Sequence, residues 1–274
     1  MYPISQNLLL LAVIALAPAL ARGGAVLFIY PTEVIFEDNQ RSAEITLANR
    51  GDETGTFEMG WTHMTMTTEG GLVKYEGQPP WSVQPFVRYS PRRVTLAPSE
   101  SQTIKIALRR SQDVAKGEYY SHFRVLTLNS EDPSATEANA AEPSAAAGVS
   151  ITARSAVAIP VIWRNSRETS SASIESVQLD VDANKLTVDV RRHGLLSVRG
   201  YLHVLGMTPD GTRGFLAEPV PLIIYPSIDT RTAVIELNDG VRAGSLPRDM
   251  EVYYSSEPEL TDRSIVFASY PIVP

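Results

Sequence analysis

Four histidines, His63, His122, His193 and His203, are the side chains of this 274-residue chain best suited to moving a proton or holding a metal. None stands in an HExxH arrangement or at another close spacing to a carboxylate. A lone histidine on a strand is a structural residue by default. No G-x-S-x-G elbow, phosphate loop or dinucleotide-binding glycine run occurs. Gly70-Gly71 fits a hairpin tip, where glycine supplies positive φ. The acidic residues are scattered, so no carboxylate pair of the glycosidase kind stands out. With no cysteine in the chain, disulfides, thiolate metal sites and cysteine nucleophiles are excluded. These absences point to a binding protein rather than an enzyme, with no cofactor and no metal.

The charge balance narrows the partners. Lysine and arginine total 24 against 31 aspartates and glutamates, a formal charge of -7. A general nucleic-acid binder displaces counterions with a net basic face, so no nucleic-acid partner is expected. One local basic cleft stays compatible with this balance. Hydrophobic residues at 43% and charged residues at 20% suffice for ordinary buried cores.

The elements that would position a binding surface read as strands. Ala25–Tyr30, Glu44–Ala48, Thr56–Met64, Val83–Tyr89, Val94–Leu96, Thr103–Leu108 and Tyr119–Leu126 are apolar or alternating runs. Turn clusters separate them, among them Asn49-Arg50-Gly51-Asp52 and Ala97-Pro98-Ser99-Glu100. Trp61, amid alternating apolar neighbours, is expected in the core, and Trp81, after Pro79-Pro80, in a loop. Thr127–Gly148 is rich in Ala, Ser, Glu and Pro, and reads as a flexible inserted loop. The following strand is long against a mean of about 5–6 residues. Val149, Ile151, Ala153, Ser155, Val157, Ile159, Val161 and Trp163 share one face of it. A polar connector, Ser166–Ser173, places a hinge near 165–172. A second strand set, from Ile174–Val181 to Ser264–Ala268, makes a smaller sandwich. The expected fold is therefore all-β, with a domain over 22–165 and another over 166–274.

At the N-terminus, the apolar run Leu8–Ala17 is followed by Pro18 and by Ala19-Leu20-Ala21, a small-x-small cleavage pattern. Residues 1–21 are expected to be a cleaved signal peptide, although Met1–Asn7 lacks Lys and Arg. The run falls short of the ~20 residues of a spanning helix, so no membrane insertion of the mature chain is expected.

Four segments resemble the pilus-assembly chaperones of the chaperone–usher pathway. Thr56-Phe57-Glu58-Met59-Gly60-Trp61 is similar to an early strand ending in tryptophan. Tyr89-Ser90-Pro91 through Leu96-Ala97-Pro98-Ser99-Glu100-Ser101-Gln102 and on to Ile106 resembles a Pro-containing strand, an L-x-P-G-E-S-Q turn and an alternating strand. Gly117-Glu118-Tyr119-Tyr120-Ser121-His122 resembles the G-E-Y-R-S-H stretch of a divergent branch, with Tyr120 where Arg is usual. Ile159-Pro160-Val161-Ile162-Trp163-Arg164 resembles the end of the long strand. The resemblance covers about 30–165 and is weak beyond.

The resemblance implies two immunoglobulin-like β-sandwich domains with a cleft between them, located in the periplasm. It implies fimbrial subunits and an outer-membrane usher as partners. The chaperone lends its long strand to an incomplete subunit sandwich, a form of β-strand addition. The lent face would be Val149, Ile151, Ala153, Ser155 and Val157. The family's carboxylate-anchoring Arg and Lys fall here on Glu33 and Pro160. The candidate anchors are therefore Arg154, Arg164, Arg92 and Arg93, with Arg164 equally suited to an interdomain salt bridge. The alternative is a secreted β-sandwich adhesin or carbohydrate-binding module using an exposed loop aromatic such as Trp81.

Overall fold

The computed structural model describes residues 24–110, 113–128, 155–208, 211–238, 249–261 and 263–272. The expected signal peptide, most of the Ala/Ser/Glu/Pro segment, and Val149, Ile151, Ala153 and Arg154 lie outside the described residues.

The first strand set comprises β1 (Leu27–Tyr30), β2 (Val34–Phe36), β3 (Ser42–Asn49), β4 (Gly55–Thr62), β5 (Met64–Met66), β6 (Leu72–Lys74), β7 (Val87–Ser90), β8 (Arg93–Leu96), β9 (Ser101–Leu108), β10 (Glu118–Leu128) and β11 (Ala156–Arg164). One sheet runs β1-β3-β9-β7 and the facing sheet runs β2-β11-β10-β4-β8. This is the immunoglobulin order, with the first strand divided between the sheets. β1 lies antiparallel to β3, the chain crosses at Pro31, and β2 lies parallel to β11. The expected strand Val83–Tyr89 begins instead as a 3-10 turn, Gln84–Phe86. Pro85 has no N–H to give a ladder, so pairing starts only at Val87.

Alternation decides what each strand buries. Ile104, Ile106 and Leu108 of β9 face Ile45 and Leu47 of β3, Phe57 and Met59 of β4, and Phe123 and Val125 of β10 in one core. Trp61 packs at its margin, edge-on to Phe123 with ring centroids 5.5 Å apart. Asn49 fixes the β3–β4 turn from inside. Its Nδ2 donates to Leu96 O (3.0 Å) and Glu53 O (2.6 Å), while its Oδ1 accepts from Gly51 N (3.0 Å) and Val26 N (3.2 Å). Every hydrogen-bonding position of this fully buried amide is used, as burial demands. Ser99 takes φ 65 in the turn after Pro98, a left-handed conformation that glycine adopts at lower cost.

The second set comprises β12 (Ser171–Asp180), β13 (Lys185–His193), β14 (Val198–Met207), β15 (Arg213–Phe215), β16 (Val220–Ile224), β17 (Thr230–Glu236), β18 (Met250–Ser255) and β19 (Val266–Ile272). β12-β13-β17 form one sheet; β15-β14-β18-β19, with β16 also on β14, form the other. Their inward residues, among them Val188, Val190, Leu202, Val204, Ile235 and Val252, make a separate core. Among the described residues there is no α-helix.

A third, smaller cluster joins the two sandwiches. Met66, Tyr120 and Ile162 of the first pack on Tyr225 of the second. The β5–β6 hairpin reaches across as well, with Thr232 N donating to Thr68 O at 2.7 Å. At its tip Gly70 has φ 86 and lies against the Arg231 guanidinium, so a side chain there would meet both strain and a clash.

Candidate functional site

β11 pairs with β10 along its whole length, from Ala156↔Leu126 to Arg164↔Glu118. On its other side β2 covers only Val161–Trp163. Residues 156–160 therefore present an open sheet edge among the described residues. An unpaired edge is a template for a further strand and is normally blunted. Pro160 has no N–H, which suits an edge position. The odd side chains continue the core face outward: Trp163, Val161 and Ile159 are buried, Val157 is 36% exposed, and Ser155 is exposed.

The facing sheet also ends here. β1 pairs only with β3, so its outer side is free among the described residues. Because the chain crosses from β1 to β2 within residues 31–33, these two free edges border the same open side of the sandwich. Phe28 and Tyr30 of β1, with Val26 just before it, point away from the core and leave 46–65% of their surface exposed.

Toward the Arg164 end of β11 lies the junction with the second sandwich. The Glu118 carboxylate, on the first residue of β10, is inaccessible to solvent. Its Oε2 accepts from Arg164 Nε (3.1 Å), Ser197 N (3.1 Å) and Ser197 Oγ (2.8 Å). Arg164 also pairs with Glu37. Burial opposes the Arg164 charge, but Glu118 and Glu37 outweigh it and hold its pKa above the ordinary value. Tyr120 stacks on Tyr225 at 4.8 Å and donates to Ser227 Oγ at 2.8 Å, and burial pushes its hydroxyl up to about 12. Arg199 of β14 pairs through Nη1 with Glu33 (2.5 Å) and lies 5.9 Å over the Tyr225 ring. Its Nε and Nη2 are buried with no hydrogen-bond partner among the described residues. Those two donors form the side of the guanidinium that grips a carboxylate bidentately.

His122, in mid-β10, is 2% exposed, and neither ring nitrogen has a hydrogen-bond partner. Burial, with a smaller push from His63, lowers its pKa to about 4, so it is neutral at ordinary pH. Among the described residues, no group of three or more His, Cys, Asp and Glu is placed to hold a metal.

The sequence candidates fare unequally. Ser155 and Val157 stand at the open edge. Arg164 lies on the same strand, but Glu37 and Glu118 already take its guanidinium, so it is not a free anchor. Arg92 and Arg93 are misplaced as anchors. β10 and β4 lie between β11 and β8. At ~4.8 Å per strand, that puts β8 about 14 Å away across the sheet. Arg93 moreover pairs with Glu58. Trp81 is half-buried and stacks on Tyr120 at 6.4 Å, which removes it as an exposed sugar platform. Arg199 went unnoticed in the sequence because its partner Glu33 is 166 residues away. Its one local signal is a cation following apolar Val198 on a strand.

No protein-family model matches the chain, and no curated protein matches it. Solved structures of fimbrial chaperones match most of it at low identity. The YadV chaperone is 12% identical with a TM-score of 0.45, covering 90% of this chain and 99% of that one. The chaperone–tip adhesion subunit complex CsuC–CsuE from the archaic chaperone-usher Csu pili of Acinetobacter baumannii is 11% identical with a TM-score of 0.47, covering 89% and 99%. The SafB chaperone with the SafA pilin from Salmonella enterica is 13% identical with a TM-score of 0.43, covering 91% and 96%.

Proposed function

We propose that this protein is a periplasmic chaperone that holds fimbrial subunits by strand addition at the β11 edge and passes them to an outer-membrane usher. In this reading residues 1–21 direct export and are removed, 22–165 form the client-holding domain and 166–274 the second domain. The observation that carries it is the open edge at 156–160, where an apolar core face runs out to solvent. The lent strand extends back from Val157 and Ser155 through Ala153, Ile151 and Val149. Main-chain bonds would supply affinity, and the odd side chains would fill the client's groove. The sequence resemblance to pilus-assembly chaperones supplies the client class. The client's terminal carboxylate would be held by Arg199, whose Nε and Nη2 lack partners. Glu33 pairs with Nη1, while Nε and Nη2 are shut off from solvent, so a client carboxylate would reach them only once the side chain turns outward.

The test is co-expression with a pilus subunit followed by pull-down. Ile151→Asp and Val157→Asp should each abolish capture while the free protein unfolds at an unchanged temperature. Burying one such side chain is worth ~1.5–3 kcal/mol, and an unpaired buried charge adds to the loss. Thr152→Asp, on the other face, should capture normally. Arg199→Gln should weaken capture about tenfold or more, corresponding to ~1.4 kcal/mol or more. Normal capture by Ile151→Asp and Val157→Asp together would falsify strand lending; normal capture by Arg199→Gln alone would remove only the anchor.

A further inference from the structure

At the far end of β11 from the open edge, the β2–β3 turn, the segment after β9 and the chain following β11 enclose a concave pocket of about 750 Å³. Five cations line it, Arg41, Arg110, Lys116, Arg164 and Arg167, against one lining carboxylate, Asp38. Only part of this charge is balanced. Arg164 is held by Glu37 and Glu118, and Lys116 lies 3.6 Å from Glu168. Arg110 is positioned by backbone alone: its Nη2 donates to Gln40 O (3.2 Å) and Glu37 O (3.4 Å), and its Nε is buried with no partner. Arg41 and Arg167 are exposed, and no acidic side chain among the described residues lies within ion-pair distance of either. A chain with a net charge of -7 thus concentrates three unneutralised arginines in one concavity. Concave walls focus such a field and raise the local concentration of anions.

We propose that this pocket docks an acidic peptide segment of a partner protein, with Arg41 and Arg167 as the carboxylate receivers and Arg110, held by backbone carbonyls, adding positive charge behind them. The arginine fork matches a carboxylate bidentately, which a lysine cluster would not. The cations come from three separate chain segments around a space far larger than one oxyanion, so several linked carboxylates fit better than a single phosphate. An anionic bilayer surface is disfavoured by the recessed site and by the protein's own negative charge. The site is independent of client holding. Eight residue steps separate Ala156 from Arg164, about 26 Å at ~3.3 Å per residue, so both ends of β11 can be occupied together.

Fluorescence anisotropy of a labelled Glu-rich peptide against the full mature protein provides the test. Binding should fall steeply between about 50 and 300 mM NaCl, as screening shortens the reach of exposed charges. The double variant Arg41→Glu/Arg167→Glu should bind about tenfold more weakly or worse. Arg41→Lys/Arg167→Lys should retain charge attraction and lose only the bidentate part. Pilus-subunit capture should be unchanged in both. Peptide affinity unchanged within about twofold on charge reversal overturns the proposal. So does equal competition by inorganic phosphate, which would make this a single-oxyanion site. So does binding of anionic vesicles without binding of the peptide.

Discussion

The two ends of β11 share one alternating pattern and live in different surroundings. Val161 and Trp163 sit between β10 and β2 with their side chains in the core. Four residues before Val161, Val157 keeps the same facing and pairs with the same strand, β10, but has no neighbouring strand on its outer side among the described residues and is 36% exposed. A hydrophobic residue on a strand therefore does not by itself announce core. What separates a packed position from an exposed one is whether the sheet continues past it. Here the division falls where β2, only three residues long, stops.

Substitutions at the buried end should break this contrast most strongly. Val161→Asp places an unpaired charge in a fully buried site, and the first sandwich should fail to fold cooperatively. Trp163→Ala, milder, should cost about 3–5 kcal/mol in urea denaturation. If either variant kept wild-type stability, the two ends would not differ as described.

Next comes the junction. Glu118→Ala removes the carboxylate shared by Arg164 and Ser197. Breaking a fully buried pair costs about 3–5 kcal/mol. The Arg164 side chain is 22% exposed and keeps Glu37, so a loss of about 2–3 kcal/mol is expected, with a broader distribution of interdomain angles in small-angle scattering. A change in stability without any change in scattering would reassign Glu118 to the first sandwich alone.

His122 sharpens the comparison through pH. Its folded pKa, near 4, lies below the unfolded value of 6.5, so the folded state resists protonation. Stability is full above pH 6.5, falls as pH drops and the unfolded imidazole takes a proton, and levels off below about 4. The contribution is on the order of 3 kcal/mol, from about 2.5 pKa units at 1.36 kcal/mol each. His122→Phe should flatten that part of the profile, seen as a smaller drop in urea midpoint between pH 7 and pH 4.5 than in the wild type. Parallel profiles for the two proteins would rule out a buried neutral histidine.

The smallest stability effect is expected at the open end. Val157→Thr should leave unfolding within about 0.5 kcal/mol, since exposed substitutions seldom do more. A loss comparable to that of Trp163→Ala would mean that the edge is covered in the free protein.

Much of this architecture was legible in the sequence because period-two alternation is a direct imprint of a half-buried strand. Ile104, Ile106 and Leu108 were read onto one face and are all buried. β5, β6 and β15 escape a reading of the sequence, since three residues are too few to show a period, and β2 is placed, at Thr32–Phe36, only through the resemblance. The anchor candidates suffered from a different blindness. Arg92 and Arg93 carry the right chemistry, but nothing local tells which strands will lie between them and β11. Arg199 was invisible for the converse reason, because its setting is assembled from Glu33 and Tyr225, neither of which is its neighbour in sequence.

The hairpin contact between Thr68 and Thr232, together with the Glu118–Ser197 contact, joins the two sandwiches at two places besides the connector. Two such struts restrict an angle that a single connector would leave free to swing. A protein built to receive a partner along one edge gains from such bracing, because each degree of freedom already frozen is one that docking need not freeze. In the proposed reading, a client arriving at β11 would meet a jaw largely set to width, and its grip would be determined by the fit of its own groove.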